Sequence, residues 1–178
     1  DDIVYKVDLR TLIDRGILSE PHFESPETNV DMIKLLTDND LEKLKKFGDI
    51  ESIGKRTAKS IAENRNRNRF IVDHYINNKD KYGQTLVFAI NIDNAIALNA
   101  IFKAKKIASD YVVSAVHDAS TGVLLSPKRN KNILKKFEKG ELQVLINVNI
   151  LTEGTDLPKV QTVFLARPTT SSILMTQM

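Results

Sequence analysis

One segment of the sequence combines residue types that can bind an anion. It covers residues 151–158, reads Leu-Thr-Glu-Gly-Thr-Asp-Leu-Pro, and directly follows the apolar run Val144–Val148. Gly154 permits the close approach of a backbone or a phosphate, and a neighbouring hydroxyl with exposed amides can hold an anion. Asp156, two residues later, can accept hydrogen bonds from a ribose. The alternative is a capped loop that turns at Gly154, and the segment alone does not decide between the two.

A second group of candidates lies in a basic region. Residues 41–70 contain nine lysines or arginines against four aspartates or glutamates, whereas the whole chain has a net charge of +3. The region is interpreted as a solvated helical face, with a phosphate-tracking surface as the alternative. Within it, residues 50–61 resemble a helix-hairpin-helix, in which Lys55, Arg56 and Lys59 would add charge beside a DNA phosphate. Ser52 replaces the usual first glycine of that hairpin, and an ordinary helix connection is the other interpretation.

A phosphate loop is rejected in the same stretch. Residues 48–57 read Gly-Asp-Ile-Glu-Ser-Ile-Gly-Lys-Arg-Thr, so the spacing between the glycines is one residue too long. Arg56 occupies the position of the serine or threonine that would bind magnesium, and no predicted strand precedes the segment.

Other polar residues have two possible interpretations. His117 follows a predicted strand and could contact a phosphate, or it could be a structural hydrogen-bonding residue. Arg65, Arg67 and Arg69 alternate with asparagines and are interpreted as the exposed face of a helix, with a nucleic-acid contact as the alternative. No Ser-His-Asp, paired-carboxylate or metal-ligand pattern stands out.

Composition limits the class of protein. With 178 residues, 42% of them hydrophobic and 28% charged, the chain has the balance of a soluble globular protein with one domain or a domain plus an appendage. The absence of cysteine excludes disulfides and thiolate metal sites. No apolar run approaches the roughly 20 residues of a membrane span, so no membrane partner and a cytoplasmic location are expected.

The elements that must position these residues change along the chain. Residues 1–30 read as an extended arm that includes a strand-like alternation at 3–9 and a short helical stretch. Residues 31–80 have helical periodicity. From residue 81 onward, apolar runs separated by amphipathic stretches indicate an α/β unit with a buried parallel sheet.

Four strands and two helices are predicted in this last part. The strands cover residues 85–90, 111–116, 144–148 and 160–166. One helix has its apolar face at residues 95–102, and the other begins at Ser126 as N-cap with Pro127 as its first residue and ends near Gly140. Because ligands bind beyond the carboxyl ends of parallel strands, the functional loops should follow Ile90, Val116, Val148 and Ala166. These candidate loops contain several of the residues named above.

Four ordered segments resemble the C-terminal RecA-like domain of superfamily 2 helicases, particularly the restriction-type and excision-repair branch. Residues 84–91 are similar to motif IV of that family, and residues 143–158 to motif V. Arg129 and residues 133–140 match the segment between them, and residues 163–172 resemble the approach to motif VI. The resemblance covers residues 81–178 and implies a RecA-like parallel sheet flanked by helices.

The resemblance also implies a division of labour between two domains. A first RecA-like domain would carry the phosphate loop and bind ATP and Mg²⁺, while this second domain would close over the nucleotide and grip the nucleic-acid backbone. DNA is the expected substrate and RNA is possible, and nuclease or methylase subunits are possible partners. ATP binding and hydrolysis would then open and close the cleft.

The family pattern assigns roles to individual residues. Gly154 and Asp156 would face the nucleotide, together with Gln177 at the start of motif VI. Asn91, Thr152 and His117 would lie towards the phosphates of the nucleic-acid strand, where contacts position the motor without reading sequence. Lys55 and Arg56 of the basic region are further nucleic-acid candidates.

Two departures from the pattern limit these roles. Val148 stands where many members have a threonine that contacts the nucleic-acid backbone. Motif VI begins at Gln177 and the sequence stops at Met178, so its arginines are missing and the chain alone is expected to be inactive. The alternative hypothesis is a non-catalytic nucleic-acid-binding module that uses residues 41–69.

Overall fold

A parallel four-stranded sheet organises the fold in a computed structural model of the chain. The structure describes residues 8–17, 19–27, 34, 36–47, 55–114, 127–151 and 157–167. The strands are β1 (Thr85–Phe88), β2 (Ser109–Val113), β3 (Val144–Val148) and β4 (Thr162–Leu165). Their order in the sheet is β2-β3-β1-β4, and every neighbouring pair is parallel.

Helices precede the sheet and connect its strands. Before β1 the structure has α1 (Leu9–Asp14), α2 (Asp38–Phe47), α3 (Lys55–Ala62), α4 (Arg65–Asn77) and α5 (Lys79–Tyr82). Helix α6 (Ile92–Ala104) connects β1 to β2, and α7 (Pro127–Glu138) lies between β2 and β3. The described residues thus confirm the predicted α/β class and the parallel sheet flanked by helices.

Successive side chains along a strand point to opposite faces of the sheet and so belong to two separate core layers. Val144, Ile146 and Val148 of β3 belong to one apolar cluster, and Leu145 belongs to the other. The first layer receives side chains of α4 and α6, including Val72. The second receives those of α7. Helices therefore cover both faces of the sheet, which explains why β3 is buried along its whole length.

The ends of α6 and α7 follow from local sequence. Asn91 is the N-cap of α6, and its Oδ1 accepts a hydrogen bond from the backbone N–H of Asn94 at 2.9 Å. Helix α7 begins at Pro127, as predicted, and ends at Glu138, and Gly140 two residues later has a φ of 80°. The N–H of Gly140 donates to the carbonyl of Phe137 and that of Glu141 to the carbonyl of Lys136, which is the Schellman arrangement. The predicted N-cap Ser126 lies outside the described residues.

Some predicted boundaries are wrong. The second strand is Ser109–Val113 and not 111–116, while the first and fourth strands are shorter than the predicted 85–90 and 160–166. Ser109 can begin a buried strand because its hydroxyl donates to Asn99 Oδ1 at 2.8 Å.

The N-terminal region agrees with its prediction in part. Residues 19–27 form neither helix nor strand, the predicted short helical stretch is present as α1, and Glu24 accepts hydrogen bonds from Lys81 and Tyr82. Leu9, the last residue of the predicted strand-like alternation, begins α1, and residues 3–7 lie outside the described ranges. The division into segments 1–30, 31–80 and 81–178 stays a prediction.

Candidate functional site

The carboxyl ends of the strands form one edge of the sheet, as the parallel pairing requires. Phe88 at the end of β1 is in register with Asn147 on one side and Leu165 on the other, and Val113 is in register with Val148. The chain segments that leave the four strands therefore start side by side along one edge of the sheet. This carboxyl edge is the place where ligands bind in open parallel sheets.

A side chain in β3 shapes the turn that leaves this strand. Oδ1 of the buried Asn147 accepts hydrogen bonds from the N–H groups of Ile150 and Leu151, both at 3.1 Å. Asn149, in the turn immediately before Ile150, has a φ of 56°, a region that asparagine tolerates better than most residues. Val148 is buried in the core, where it packs against other apolar side chains.

Several predicted site residues follow this turn in the sequence. Thr152, Gly154 and Asp156 lie outside the described residues, as do His117 and Gln177. Their roles therefore stay predictions.

Asn91 lies at the carboxyl edge, immediately after Ile90. Its side chain is partly buried, and its Oδ1 caps α6. The capping bond uses only the oxygen, so the amide Nδ2 is the atom that could donate to a phosphate oxygen. The predicted phosphate contact is compatible with this geometry.

Buried amides connect the exit of β1 to the helices before the sheet. Asn94 is fully buried, and its Oδ1 accepts from the N–H of Ile90 at 3.3 Å. Its Nδ2 donates to the carbonyl of Ala62 at 3.2 Å and to Oδ1 of Asn68 at 2.9 Å. Nδ2 of Asn68 donates to the same carbonyl of Ala62 at 2.8 Å. The exit of β1 is thus fixed to the connection between α3 and α4.

Helix α3 carries the basic candidates to the same edge. Ile61 and Ala62 near its end pack against Ile90, which follows β1. Lys55 and Arg56, in its first turn, are exposed. With a rise of 1.5 Å per residue, Lys55 is about 9 Å along the helix from Ile61. The structure therefore places the end of this basic helix beside the carboxyl edge, with Lys55 and Arg56 at its other end.

A buried carboxylate holds α3 against α2. Asp40 is 3% exposed, and its Oδ2 accepts from the hydroxyl of Thr57 at 2.8 Å. The same oxygen accepts from the N–H and hydroxyl of Thr37, whose Oγ1 in turn accepts from the N–H of Asp40. This reciprocal pair is a capping box at the start of α2. Asp40 thereby fixes α3 to the start of α2.

The interpretation of Arg67 as an exposed residue is wrong. Arg65 and Arg69 are exposed, but Arg67 is 6% exposed and its Nη2 donates to the carbonyl of Ala166 at 2.7 Å. The helical period contained this signal, because residues two apart on a helix point about 200° apart. Three alternating arginines therefore cannot share one face.

The burial of a second arginine at the carboxyl edge was not predicted from the sequence either. Arg167 follows β4 and is 5% exposed. Its Nη1 donates to Oδ1 of Asn149 at 2.7 Å, which links the exits of β4 and β3. No local pattern indicates this pair, because the two residues are 18 positions apart.

A groove of about 700 Å³ lies between α4 and α6. Its charged lining has both signs, with Arg65 and Arg69 against Glu63 and Asp93. This balance does not favour an anion over a cation.

The described part of the chain contains no group of three or more His, Cys, Asp or Glu side chains that could hold a metal ion. Among the same residues, no helix is long and apolar enough to cross a membrane.

Comparison with known proteins identifies relatives of this chain. The chain is 29% identical over 180 residues to the putative ATP-dependent helicase IRC3 of Saccharomyces cerevisiae, covering 100% of this chain and 23% of that protein. It is 29% identical over 182 residues to the putative mitochondrial ATP-dependent helicase irc3 of Schizosaccharomyces pombe, covering 100% of this chain and 26% of the relative. The chain thus spans about a quarter of the length of these curated relatives.

A solved structure and a family match complete the comparison. The Hef helicase domain of Pyrococcus furiosus superimposes with a TM-score of 0.51 at 22% identity, over 82% of this chain and 31% of that one, which shows a shared fold. Residues 66–178 match the family described as Helicase conserved C-terminal domain. The chain therefore belongs to the family of helicase conserved C-terminal domains, with the RecA-like fold of superfamily 2.

Proposed function

We propose that this domain is the second motor domain of an ATP-dependent nucleic-acid helicase or translocase. The observation that carries the proposal is the convergence of the strand exits at one edge of a helicase C-terminal domain. The segments that contain the predicted nucleotide and phosphate contacts start at that edge. The domain would complete an ATP cleft whose other side belongs to a first RecA-like domain.

The nucleotide contacts are assigned to three residues. Gly154 would let the backbone approach the nucleotide, Asp156 would accept hydrogen bonds from its ribose, and Gln177 would contact it from motif VI. ATP supplies the phosphoryl transfer that drives closing and opening of the cleft. Mg²⁺ is assigned to the first RecA-like domain, and the second domain alone should hydrolyse no ATP because the proposed cleft needs both domains.

The nucleic-acid contacts are assigned to the same edge. Asn91, Thr152 and His117 would bind backbone phosphates, and Lys55 and Arg56 would extend this contact along α3. The proximity of α3 to Ile90 supports a continuous surface.

The finer assignments also belong to the proposal. DNA is the proposed substrate, with RNA as the alternative, within the restriction-type or excision-repair branch, where nuclease or methylase subunits are candidate partners. The cytoplasmic location stays a prediction, and the S. pombe relative is named mitochondrial.

Replacement of Asp156 tests the proposed nucleotide site. In the whole protein, ATP hydrolysis should be stimulated by DNA, and Asp156→Ala should lower kcat about 10- to 100-fold because the nucleotide loses an orienting contact. The measurement is steady-state ATPase activity with and without single-stranded and duplex DNA, and with RNA in parallel.

A carboxylate outside the sheet, on a helix that precedes β1, provides the matched control. Asp80 is exposed on α5, which precedes β1 and so lies towards the opposite edge. Asp80→Ala should leave kcat unchanged. Equal activity of Asp156→Ala and wild type would overturn the role of Asp156, and the absence of any nucleic-acid stimulation would overturn the motor function.

A non-catalytic nucleic-acid-binding module is the second candidate. The exposure of Lys55 and Arg56 on a helix packed at the carboxyl edge favours it. In that case, the basic region 41–69 would bind DNA without any coupling to ATP.

A further inference from the structure

Arg67 is buried in a way that packing alone does not explain. Its Nη2 donates to the carbonyl of Ala166, while its Nη1 is buried without a hydrogen-bond acceptor among the described residues. Burial lowers the pKa of Arg67 to about 10, which still leaves the guanidinium charged at neutral pH. A buried charge with an unsatisfied donor costs stability, and a methionine of similar length would fill the space without that cost.

The acceptor of Arg67 belongs to a chain of contacts across the carboxyl edge. Ala166 precedes Arg167, whose guanidinium donates to Asn149 at the exit of β3. The next two backbone N–H groups after Asn149 are held by Asn147. We call the set of Arg67, Ala166, Arg167 and Asn149 the exit clamp. It joins α4, the exit of β4 and the exit of β3 through two hydrogen bonds, each 2.7 Å long.

The exit clamp acts on both segments that continue to the predicted nucleotide residues. The chain runs from Asn149 to Gly154 and Asp156, and from Arg167 to Gln177. Arg67 lies on α4, outside both segments, and its hydrogen bond reaches the carbonyl of Ala166, immediately before the second segment. Its planar guanidinium donates in a fixed direction, which a flexible ammonium group does not reproduce.

We propose that Arg67 is a positioning residue, which fixes the exit of β4 directly and the exit of β3 through Arg167 and Asn149. Its consequence for ATP turnover rests on the proposed function. Removal of the guanidinium should displace the exits by a small distance, and misplacement on the order of 1 Å can lower catalytic rates substantially.

Amide hydrogen exchange in the whole protein tests the clamp without reference to activity. Arg67→Met should speed exchange at Ala166, Arg167, Ile150 and Leu151 by about 10-fold or more, while the β1 amides keep their protection. Arg69→Met, an exposed arginine on the same helix, is the control and should change none of these amides.

A second variant separates the two halves of the clamp. Asn149→Gly removes the acceptor of Arg167 and still permits the positive φ at this position. It should speed exchange at Ile150 and Leu151 only, because Arg67 still holds the exit of β4. Unchanged exchange at both exits in Arg67→Met would overturn the clamp. So would an equal rise in β1, which would mean general destabilisation.

ATPase kinetics then test the functional consequence. Arg67→Met should lower kcat about 10-fold and leave KM for ATP within about twofold, because the first domain holds most of the nucleotide. Arg67→Lys keeps one donor and should recover part of kcat. Faster exchange with unchanged kcat would overturn the positioning role. A wild-type protein without stimulated ATPase would overturn the proposed function, and the exchange pattern would still decide whether the clamp exists.

Discussion

Asn94 makes buried hydrogen bonds that no apolar side chain at its position could replace. Its amide serves the N–H of Ile90, the carbonyl of Ala62 and the side chain of Asn68, all at the carboxyl edge. Each partner is taken from water when the protein folds, so removal of the Asn94 amide leaves polar groups unsatisfied. This one residue therefore fixes the first turn of α6 to two other parts of the chain.

Asn94→Ala should accordingly destabilise the domain by about 2–3 kcal/mol. The control is Asn132→Ala, because Asn132 is exposed on α7 and alanine favours a helix. Urea denaturation followed by circular dichroism would measure both free energies of unfolding. Equal stability of the two variants would show that the buried amides contribute little.

For single residues, the local sequence predicts some contacts and does not predict others. The helical periodicity of residues 31–80 predicts α4 correctly, but which of Arg65, Arg67 and Arg69 enters the core depends on the position of Ala166, 99 residues after Arg67. Asn91 followed by a helix is a local pattern, and its cap could be expected. The burial of Arg167 depends on its contact with Asn149 at the exit of a separate strand, which no local pattern contains.

Two glycines at element boundaries differ in what limits their replacement. Gly140 has a φ of 80° and nothing within 4 Å of an added Cβ, whereas an added Cβ at Gly83, with a φ of 57°, would overlap the side chain of Gln161. That side chain accepts a hydrogen bond from the N–H of Gln84, immediately before β1. Both positions need the left-handed region, but only Gly83 also needs the space.

Replacement of each glycine by alanine separates strain from overlap. Gly140→Ala should cost about 1 kcal/mol from backbone strain alone. Gly83→Ala should cost about 1 kcal/mol more, because the exposed end of Gln161 must move aside and can no longer accept from Gln84. Thermal denaturation of the two variants gives the comparison, and a larger destabilisation by Gly140→Ala would contradict this explanation.

The elements were predictable to different degrees for a physical reason. Strand β3 was predicted with its correct limits because both of its faces are buried and its apolar run is continuous. Strand β2 was displaced, since its limits depend on polar contacts: Ser109 is buried by its bond to Asn99, and the carbonyl of Val113 accepts from Asn130 of α7. Local hydrophobicity cannot show which polar residues find such partners.

At the scale of the whole molecule, family and fold were accessible from sequence because four motifs keep their order along the chain. The family match and the parallel sheet confirm both. The nucleotide residues Gly154, Asp156 and Gln177 stay predictions, as do Thr152 and His117, because they lie outside the described residues. The exit clamp was not predicted, since it exists only when α4, β3 and β4 come together.

The distribution of charge over the molecule gives a test of where nucleic acid binds. Lys55, Arg56 and Lys59 are exposed on α3, and their replacement by glutamine should lower DNA affinity. The slope of log affinity against log salt should become shallower by about 0.9 for each phosphate that the variant no longer neutralises. The matched control neutralises the exposed lysines of α7, namely Lys131, Lys135 and Lys136, and removes the same charge.

Titration of fluorescent DNA at several salt concentrations measures the slopes of both triple variants. A smaller slope for the α3 variant alone would place the phosphate backbone beside α3, whereas equal slopes would reflect net charge and reject the basic helical surface.

DNA-stimulated ATPase activity in the whole protein then separates the two candidate functions. In a motor, the α3 variant should need more DNA for half-maximal stimulation and reach the same maximal rate, because phosphate contacts position the strand without entering the chemistry. In a binding module, DNA affinity would fall in the same way and no ATP turnover would accompany it.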